Sequence, residues 1–164
     1  MLENLVMLAL QKGWDSLEKG SEAKKLRLAI RSRLARETRF NLEVFKGLDD
    51  PDKLSLVAAA CSIEAIDEIC SLNIPISLFF DGEELPEGVI EYLRGESVSN
   101  GNFKKWTADI HNEVELVERV WHRLRILKVR YTQQVALGDL DYGRHLLQAL
   151  LQSLTENKAS KPKG

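Results

Sequence analysis

Apolar residues recur at spacings of three and four between residues 110 and 137, the repeat of a helix with about 3.6 residues per turn. Eight positions fall on one face of that helix, namely Ile110, Val114, Val117, Trp121, Leu124, Lys128, Tyr131 and Val135. Leu116, Val120 and Leu127 widen this face, and no Gly or Pro interrupts the segment. The pattern predicts one continuous helix, about 40 Å long, whose apolar face is covered by the rest of the chain.

Other parts of the chain carry helical patterns as well. They are residues 2–19, 21–47 and 51–72, and a last helix that begins between residues 139 and 141. Asp50 followed by Pro51 is a strong start signal, and Thr107 or Asp109 is the expected cap of the long helix. Gly138 ends the long helix, and the short link that follows predicts that the last two helices form an antiparallel pair.

The segment at 73–108 is the least regular part of the pattern. Its apolar run at 73–80 suits either a helical turn or a short strand, and we favour the turn. A short helix is predicted at 85–93, starting near Pro86. The residues at 95–102 are turn-forming throughout, so we expect an exposed loop there.

Together these patterns predict an all-α protein. We expect a helical bundle of four to five helices organised around the long helix at about 110–137, with a small irregular insertion at about 73–108. The 164 residues suffice for one domain, and 44% hydrophobic with 29% charged residues is an ordinary globular composition. We assign residues 1–155 to a single helical domain and expect residues 156–164 to form a flexible tail.

The first residues and the cysteines predict the location of the protein. The opening apolar run lacks the basic start and cleavage site of a signal peptide and is too short to span a bilayer. Cys61 and Cys70 are nine residues apart on one predicted helix, so they point to opposite faces and cannot pair with each other. We therefore expect a cytoplasmic protein that does not bind membranes.

Charge is distributed unevenly, although the net charge is only −2. Lys and Arg exceed the acids by five in residues 21–47 and by six in residues 119–164, whereas the acids exceed them by ten in residues 48–100. One interpretation, which we favour, is that the acidic middle packs beside two basic arms. The alternative is that the basic arms bind an anionic partner.

Polar residues occupy positions in two of the apolar stripes. Glu37 and Asn41 lie in the stripe of the helix at 21–47, and Lys128 interrupts the stripe of the long helix. Separate burial of a carboxylate and an ammonium would cost several kcal/mol each, so we expect Glu37 and Lys128 to face one another and set the register of the bundle. The alternative is that both side chains extend to the rim of the core.

Basic residues outside the stripes form a candidate anion-binding face. They are Arg119, Arg123 and Arg130 of the long helix, and Lys24, Arg27 and Arg31 of the helix at 21–47. Such clusters can neutralise phosphates, but no known nucleic-acid motif accompanies them and aromatic residues are not interleaved with them. A nucleic-acid-associated protein is therefore the alternative function, and a solvated surface is the simpler interpretation.

Signatures of enzymes and metal sites are missing from the sequence. It holds no Gly-rich phosphate loop, Gly-x-Ser-x-Gly, His-Glu-x-x-His or Cys-x-x-Cys. His111, Glu115, Glu118 and His122 share one helix edge, but the two imidazoles would be about 16 Å apart, too far to bind one ion. We expect no catalytic residue, no metal and no cofactor.

Apolar residues outside the inward stripe indicate a role in assembly. Ile126, Val129 and Leu137 would leave apolar surface on a second side of the long helix. Our preferred function is therefore a non-enzymatic protein-interaction or assembly module that self-associates.

Overall fold

The computed structural model describes residues 20–47, 50–72, 75–130 and 135–156. Over these ranges the chain forms seven α-helices: α1 (Ser21–Val44), α2 (Leu54–Ala60), α3 (Glu64–Ser71), α4 (Glu87–Arg94), α5 (Gly101–Trp106), α6 (Glu113–Arg130) and α7 (Leu137–Thr155). Short 3-10 turns occur at Phe45–Gly47, Pro51–Lys53 and Ile76–Leu78. The last of these is the helical turn favoured for the run at 73–80. The helix predicted at 2–19 and the tail from residue 157 onward lie outside the described residues.

The all-α bundle is confirmed, with more helices than the four to five expected. Within the described ranges the only extended pairing is an isolated bridge between Glu84 and Asn112. The helix predicted at 51–72 is divided in two, because the backbone is extended at Cys61 before α3 begins. The insertion predicted at 73–108 contains two helices, α4 and α5. In the part of the chain that the structure describes, no helix has the length and apolarity needed to cross a membrane.

The long helix begins later than predicted. α6 starts at Glu113, where the Asn112 side chain caps it by accepting a hydrogen bond from the Glu115 N–H at 2.9 Å. Neither of the expected cap residues lies at this position. The start predicted at residue 110 is therefore wrong, since the cap lies two residues beyond it.

The last two helices form the predicted antiparallel pair. Residues 135–136 are not helical, so the prediction of one helix running to residue 137 is wrong, and α7 begins there instead. Ser153 Oγ near the end of α7 donates to Glu113 Oε2 at the start of α6 over 2.6 Å. Farther along α6, Arg123 Nη2 donates to Asp139 Oδ1 in the first turn of α7, also over 2.6 Å. These two contacts at opposite ends fix the antiparallel arrangement.

α7 shares with α6 the central position that was predicted for the long helix alone. It contacts α1, α2, α4 and α6, and one broad face of it is buried. That face consists of Leu140, Tyr142, Gly143, His145, Leu146, Leu147, Ala149, Leu150 and Ser153. α6 contributes Glu113, Leu116, Val117, Val120, Leu124 and Leu127. The predicted apolar face of α6 is therefore confirmed. Its centre lies closer to Leu116 and Val120 than the centre of the predicted stripe does.

α1 covers another side of α7. α1 is buried at Leu26, Ile30 and Leu34, and Phe45 in the following turn is fully buried. A Cβ atom at Gly143 of α7 would lie 3.4 Å from side-chain carbons of both Phe45 and Leu127. Gly143 therefore lies where α6, α7 and the turn after α1 pack together, with room for no more than a methyl group in van der Waals contact.

α5 begins at Gly101, so the segment at 95–102 that was expected to be a loop is non-helical only as far as Asn100. Asn100 is the N-cap of α5, so the residue that reads as a turn signal in the sequence instead starts a helix. Arg94 at the end of α4 donates from Nη1 to the carbonyls of Thr107 and Ile110 at 2.8 Å each. These bonds hold the end of α5 against α4.

The buried face of α7 can be tested with two leucines on the same helix. Leu146 is fully buried, whereas Leu137 is 47% exposed. Leu146→Ala leaves a cavity in the core and is expected to lower the free energy of unfolding by about 2–5 kcal/mol. Leu137→Ala is expected to lower it by less than about 1 kcal/mol. Urea unfolding followed by circular dichroism measures both, and equal losses would contradict this packing.

Candidate functional site

A cleft of about 560 Å³ opens beside α6, between α5 and the first turns of α7. It is lined by Lys105, Trp106, Ala108, Asp109, Arg119, His122, Arg123, Ile126, Asp139 and Tyr142. Its volume is in the range of clefts that bind ligands, about 300–1,000 Å³. We call it the α5–α7 cleft.

The short helix α5 supplies the aromatic wall of this cleft. Trp106 packs edge-on against Tyr142 of α7 with ring centroids 5.1 Å apart, and Phe103 contacts both rings. The Trp106 carbonyl accepts hydrogen bonds from Arg119 Nη1 and, over 3.3 Å, from the Tyr142 hydroxyl. Trp106 is therefore fixed to α6 and α7 although 44% of it is exposed.

Two arginines in the cleft bind carboxylates of the same chain. Arg119 Nη2 donates to Asp109 Oδ2 over 2.6 Å. Arg123 Nη2 donates to Asp139 Oδ1, again over 2.6 Å. Lys105 is exposed at the edge of the cleft. The cleft therefore carries both signs of charge next to its aromatic wall.

A second, smaller cleft of about 390 Å³ continues along α6. It is lined by Trp121, His122, Arg125, Ile126, Val129 and Arg130, so it shares His122 and Ile126 with the first. The Arg125 guanidinium lies 5.2 Å from the centre of the Trp121 ring. The structure thus brings together Ile126 and Val129 of the predicted interaction surface.

Leu137, the third residue of that prediction, lines neither cleft. It is exposed at the start of α7, two residues before Asp139, which does line the first cleft. We call the residues that line the two clefts, together with Leu137, the α6 surface.

The predicted anion-binding residues lie on separate surfaces. Arg119, Arg123 and Arg130 belong to the α6 surface, whereas Arg27 and Arg31 line a different cleft of about 270 Å³ with Phe79 and Phe80. The Arg31 guanidinium forms an ion pair with Glu113, and Arg27 Nε donates to the Leu78 carbonyl. Lys24 and Arg130 are exposed. The structure does not bring these six residues together as one face.

Ion pairs join the acidic middle of the chain to both basic arms. Arg33 of α1 binds Glu68 of α3 over 2.6 Å, and Arg125 of α6 lies 3.8 Å from Asp67 of α3. Partly exposed pairs of this kind contribute about 0–1 kcal/mol each. At α3, therefore, acidic residues of the middle segment do pack beside the basic arms.

Glu37 and Lys128 do not contact each other as predicted. Glu37 accepts hydrogen bonds at 2.9 Å from two N–H groups in the first turn of α3 and at 2.6 Å from Ser62 Oγ. The Lys128 ammonium donates to the Ala59 carbonyl near the end of α2. Each charge therefore caps a different helix terminus, the carboxylate at an N-terminus and the ammonium at a C-terminus.

Asn41 completes this set at the junction between α2 and α3. Its Oδ1 accepts a hydrogen bond from the Ser62 N–H at 2.6 Å, and its Nδ2 donates to the Ser62 carbonyl at 2.7 Å. The helix break leaves free amide and carbonyl groups inside the bundle. Glu37, Asn41 and Lys128 satisfy those backbone groups, which is the physical reason that the predicted direct pair does not form.

Glu113 is a buried carboxylate that the sequence analysis did not single out. Its side chain is 5% exposed, and it binds both terminal nitrogens of the Arg31 guanidinium, the Ser153 hydroxyl at 2.6 Å and the Asp81 N–H at 3.3 Å. The signal was present in the sequence. Glu113 precedes Val117 by four residues and so lies on the buried stripe of α6.

His145 was missed because its partners are distant in sequence. It is 9% exposed, and its ring stacks on Tyr92 of α4 at 4.9 Å and lies 5.0 Å from the Phe103 ring. Its Nε2 is 3.0 Å from the carbonyl of Leu93, which is 52 residues away. Burial lowers the pKa of His145 below its usual 6.5, and the Leu93 carbonyl opposes this effect.

The two cysteines are free thiols in protected positions. Cys61 is buried and Cys70 is half-buried. Burial raises the pKa of the Cys61 thiol. Burial, with the nearby Glu118 and Asp67 carboxylates, raises the pKa of Cys70 to about 12. Both thiols are therefore protonated at neutral pH and are poor nucleophiles.

No protein-family model, curated protein or solved structure matches this chain. Among the described residues, His, Cys, Asp and Glu side chains form no group of three or more that could hold a metal ion. Function is therefore inferred from the surface chemistry of the chain itself.

The separate roles of Glu37 and Lys128 can be tested by a double-mutant cycle. Glu37→Ala removes a cap from α3 and should lower the free energy of unfolding by about 1–3 kcal/mol, and Lys128→Ala should lower it by about 0.5–1.5 kcal/mol. Because the two groups bind different helices, the losses should add to within about 0.5 kcal/mol. Glu43→Ala, at an exposed position of α1, is the control. A coupling above about 1 kcal/mol in urea unfolding would point to direct contact between the two side chains instead.

Proposed function

We propose that this chain is a non-enzymatic protein-interaction module that associates with a second copy of itself through the α6 surface. One observation carries the proposal: Val129 is 72%, Leu137 47% and Trp106 44% exposed beside the two clefts. Large apolar side chains that stay exposed around a cleft are typical of protein contact sites. The core beneath them is closed, with Leu124 and Leu127 each 1% exposed.

The charges of the α6 surface support a second copy as the partner. Lys105 and Arg130 are exposed cations, and the carboxylates of Asp109 and Asp139 lie at the edge of the α5–α7 cleft. Two copies related by a two-fold axis place the same patch opposite itself. Cations of one copy can then approach carboxylates of the other around a shared apolar centre.

The alternative, a nucleic-acid-associated protein, has weaker support from the same residues. Arg31, Arg119 and Arg123 already bind carboxylates within the chain. A phosphate backbone on the α6 surface would have to displace such pairs and would meet the carboxylates of Asp109 and Asp139. The exposed apolar side chains fit a protein partner better.

Sedimentation equilibrium of the purified chain between about 1 and 200 µM tests the proposal. Wild-type protein should form a dimer over this range. Val129→Lys adds a cation to an apolar contact near the C-terminus of α6, where a cation suits the helix dipole, so the fold should persist while the dimer dissociation constant rises at least about tenfold.

Leu28→Lys is the matched control for this change. Leu28 is 59% exposed on α1 and lines a different cleft with Leu85 and Glu113. The dissociation constant of this variant should stay within about twofold of wild type. A wild-type mass of one chain at every concentration would overturn the proposal, and salt-dependent binding of that monomer to RNA would favour the alternative.

A further inference from the structure

The α6 surface has a concave part and a projecting part. The concave part is the α5–α7 cleft of about 560 Å³, with Trp106 and Tyr142 in its wall. The projecting part is the C-terminal end of α6, where Val129 is 72% exposed and Arg130 beside it is exposed as well. The same surface therefore offers both an aromatic cleft and an apolar side chain that could fill one.

The two parts also differ in the charges that are free to pair. Asp109 at the edge of the cleft binds Arg119 through Oδ2, but its side chain is 71% exposed. A carboxylate has about four acceptor sites, so Asp109 can bind a second cation. Arg130 has no ion pair with another residue of the described ranges. The exposed Lys105 can turn away from an incoming cation, because its ammonium lies on a flexible four-carbon chain.

Two-fold symmetry determines which part meets which. In an isologous contact, residues on one side of the axis face those on the other side, and residues at the axis face their own copies. His122 and Ile126 line both clefts and so lie between the two parts. An axis past these two residues sets the concave part of each copy against the projecting part of the other. An axis through either part would instead oppose two cavities or two cations.

We propose that Val129 of each copy enters the α5–α7 cleft of the other and contacts Trp106, and that Arg130 then binds Asp109 of that second copy. This arrangement rests on the proposed function above and adds to it the residues that face each other. Trp106 suits the contact because its ring packs on α7 and its carbonyl accepts hydrogen bonds from α6 and α7. Little further ordering of this wall is needed on association.

A charge exchange between Arg130 and Asp109 tests this arrangement. In the dimer of Arg130→Glu, carboxylates face each other at both contacts, and in the dimer of Asp109→Lys cations do. The dimer dissociation constant of each variant alone should therefore rise at least about tenfold above that of wild type. In a mixture, the introduced carboxylate faces the introduced ammonium, and the other contact keeps the original pair. The heterodimer should therefore form with a dissociation constant within about twofold of wild type.

Sedimentation equilibrium of each variant and of the equimolar mixture measures these constants, and circular dichroism verifies that each variant is folded. Glu84→Lys is the matched control for Asp109→Lys. Glu84 is an exposed carboxylate that lines the same cleft as Leu28, away from the α6 surface. Glu84→Lys alone should keep the dissociation constant within about twofold of wild type, and its mixture with Arg130→Glu should not restore that value.

The outcomes separate this contact from the proposed function. A wild-type dimer together with a mixture that stays dissociated would overturn the contact and leave the proposed function in place, as would single variants that dimerise like wild type. A wild-type monomer at every concentration would refute both. Should Asp109→Lys fold poorly, Arg130→Glu alone decides. Its dissociation constant should rise at least about tenfold, while that of Arg39→Glu, at an exposed position of α1, should stay within about twofold of wild type.

Discussion

A single buried carboxylate joins the three long helices of this fold. Glu113 at the start of α6 binds Arg31 of α1, Ser153 of α7 and the backbone N–H of Asp81. Removing a carboxylate from water costs several kcal/mol, a cost that is offset only while all of these donors are in place. The junction therefore fixes α1, α6 and α7 at one end of the bundle. Val129 and Leu137, two of the exposed apolar side chains, lie toward the other end of the α6–α7 pair.

Sequence periodicity predicted those parts of the fold that depend on residues close together in the chain. The stripes of α1 and α6 and the antiparallel pairing of α6 with α7 depend on residues within each helix and on a short link. The break at Cys61 was not visible, because no Gly or Pro marks it and because its free backbone groups are satisfied by side chains from other helices. Glu37 and Lys128 were therefore correctly identified as unusual positions but assigned the wrong partners. α5 was missed because Asn100 signals a turn and an N-cap equally well.

The candidate site was predictable only in part, for a related reason. Ile126 and Val129 are one turn apart on α6, so helical spacing alone places them together. Trp106 and Tyr142 reach the same surface only through the packing of α5 and α7. The predicted anion-binding face does not form, because its residues lie on separate surfaces and Arg31, Arg119 and Arg123 pair with carboxylates of the same chain.

A double-mutant cycle at Arg31 and Glu113 tests most directly whether this carboxylate fixes the three helices. Arg31→Ala and Glu113→Ala should each lower the free energy of unfolding by at least about 2 kcal/mol, because each leaves buried groups unpaired. The free energy of unfolding of the double variant should be little lower than that of the less stable single variant, which gives a coupling of about 2 kcal/mol. Glu43 on α1 and Lys46 in the turn after it form an exposed ion pair, 2.6 Å apart. Their coupling should be less than about 1 kcal/mol. Losses at Arg31 and Glu113 that simply add would contradict the role given to this junction.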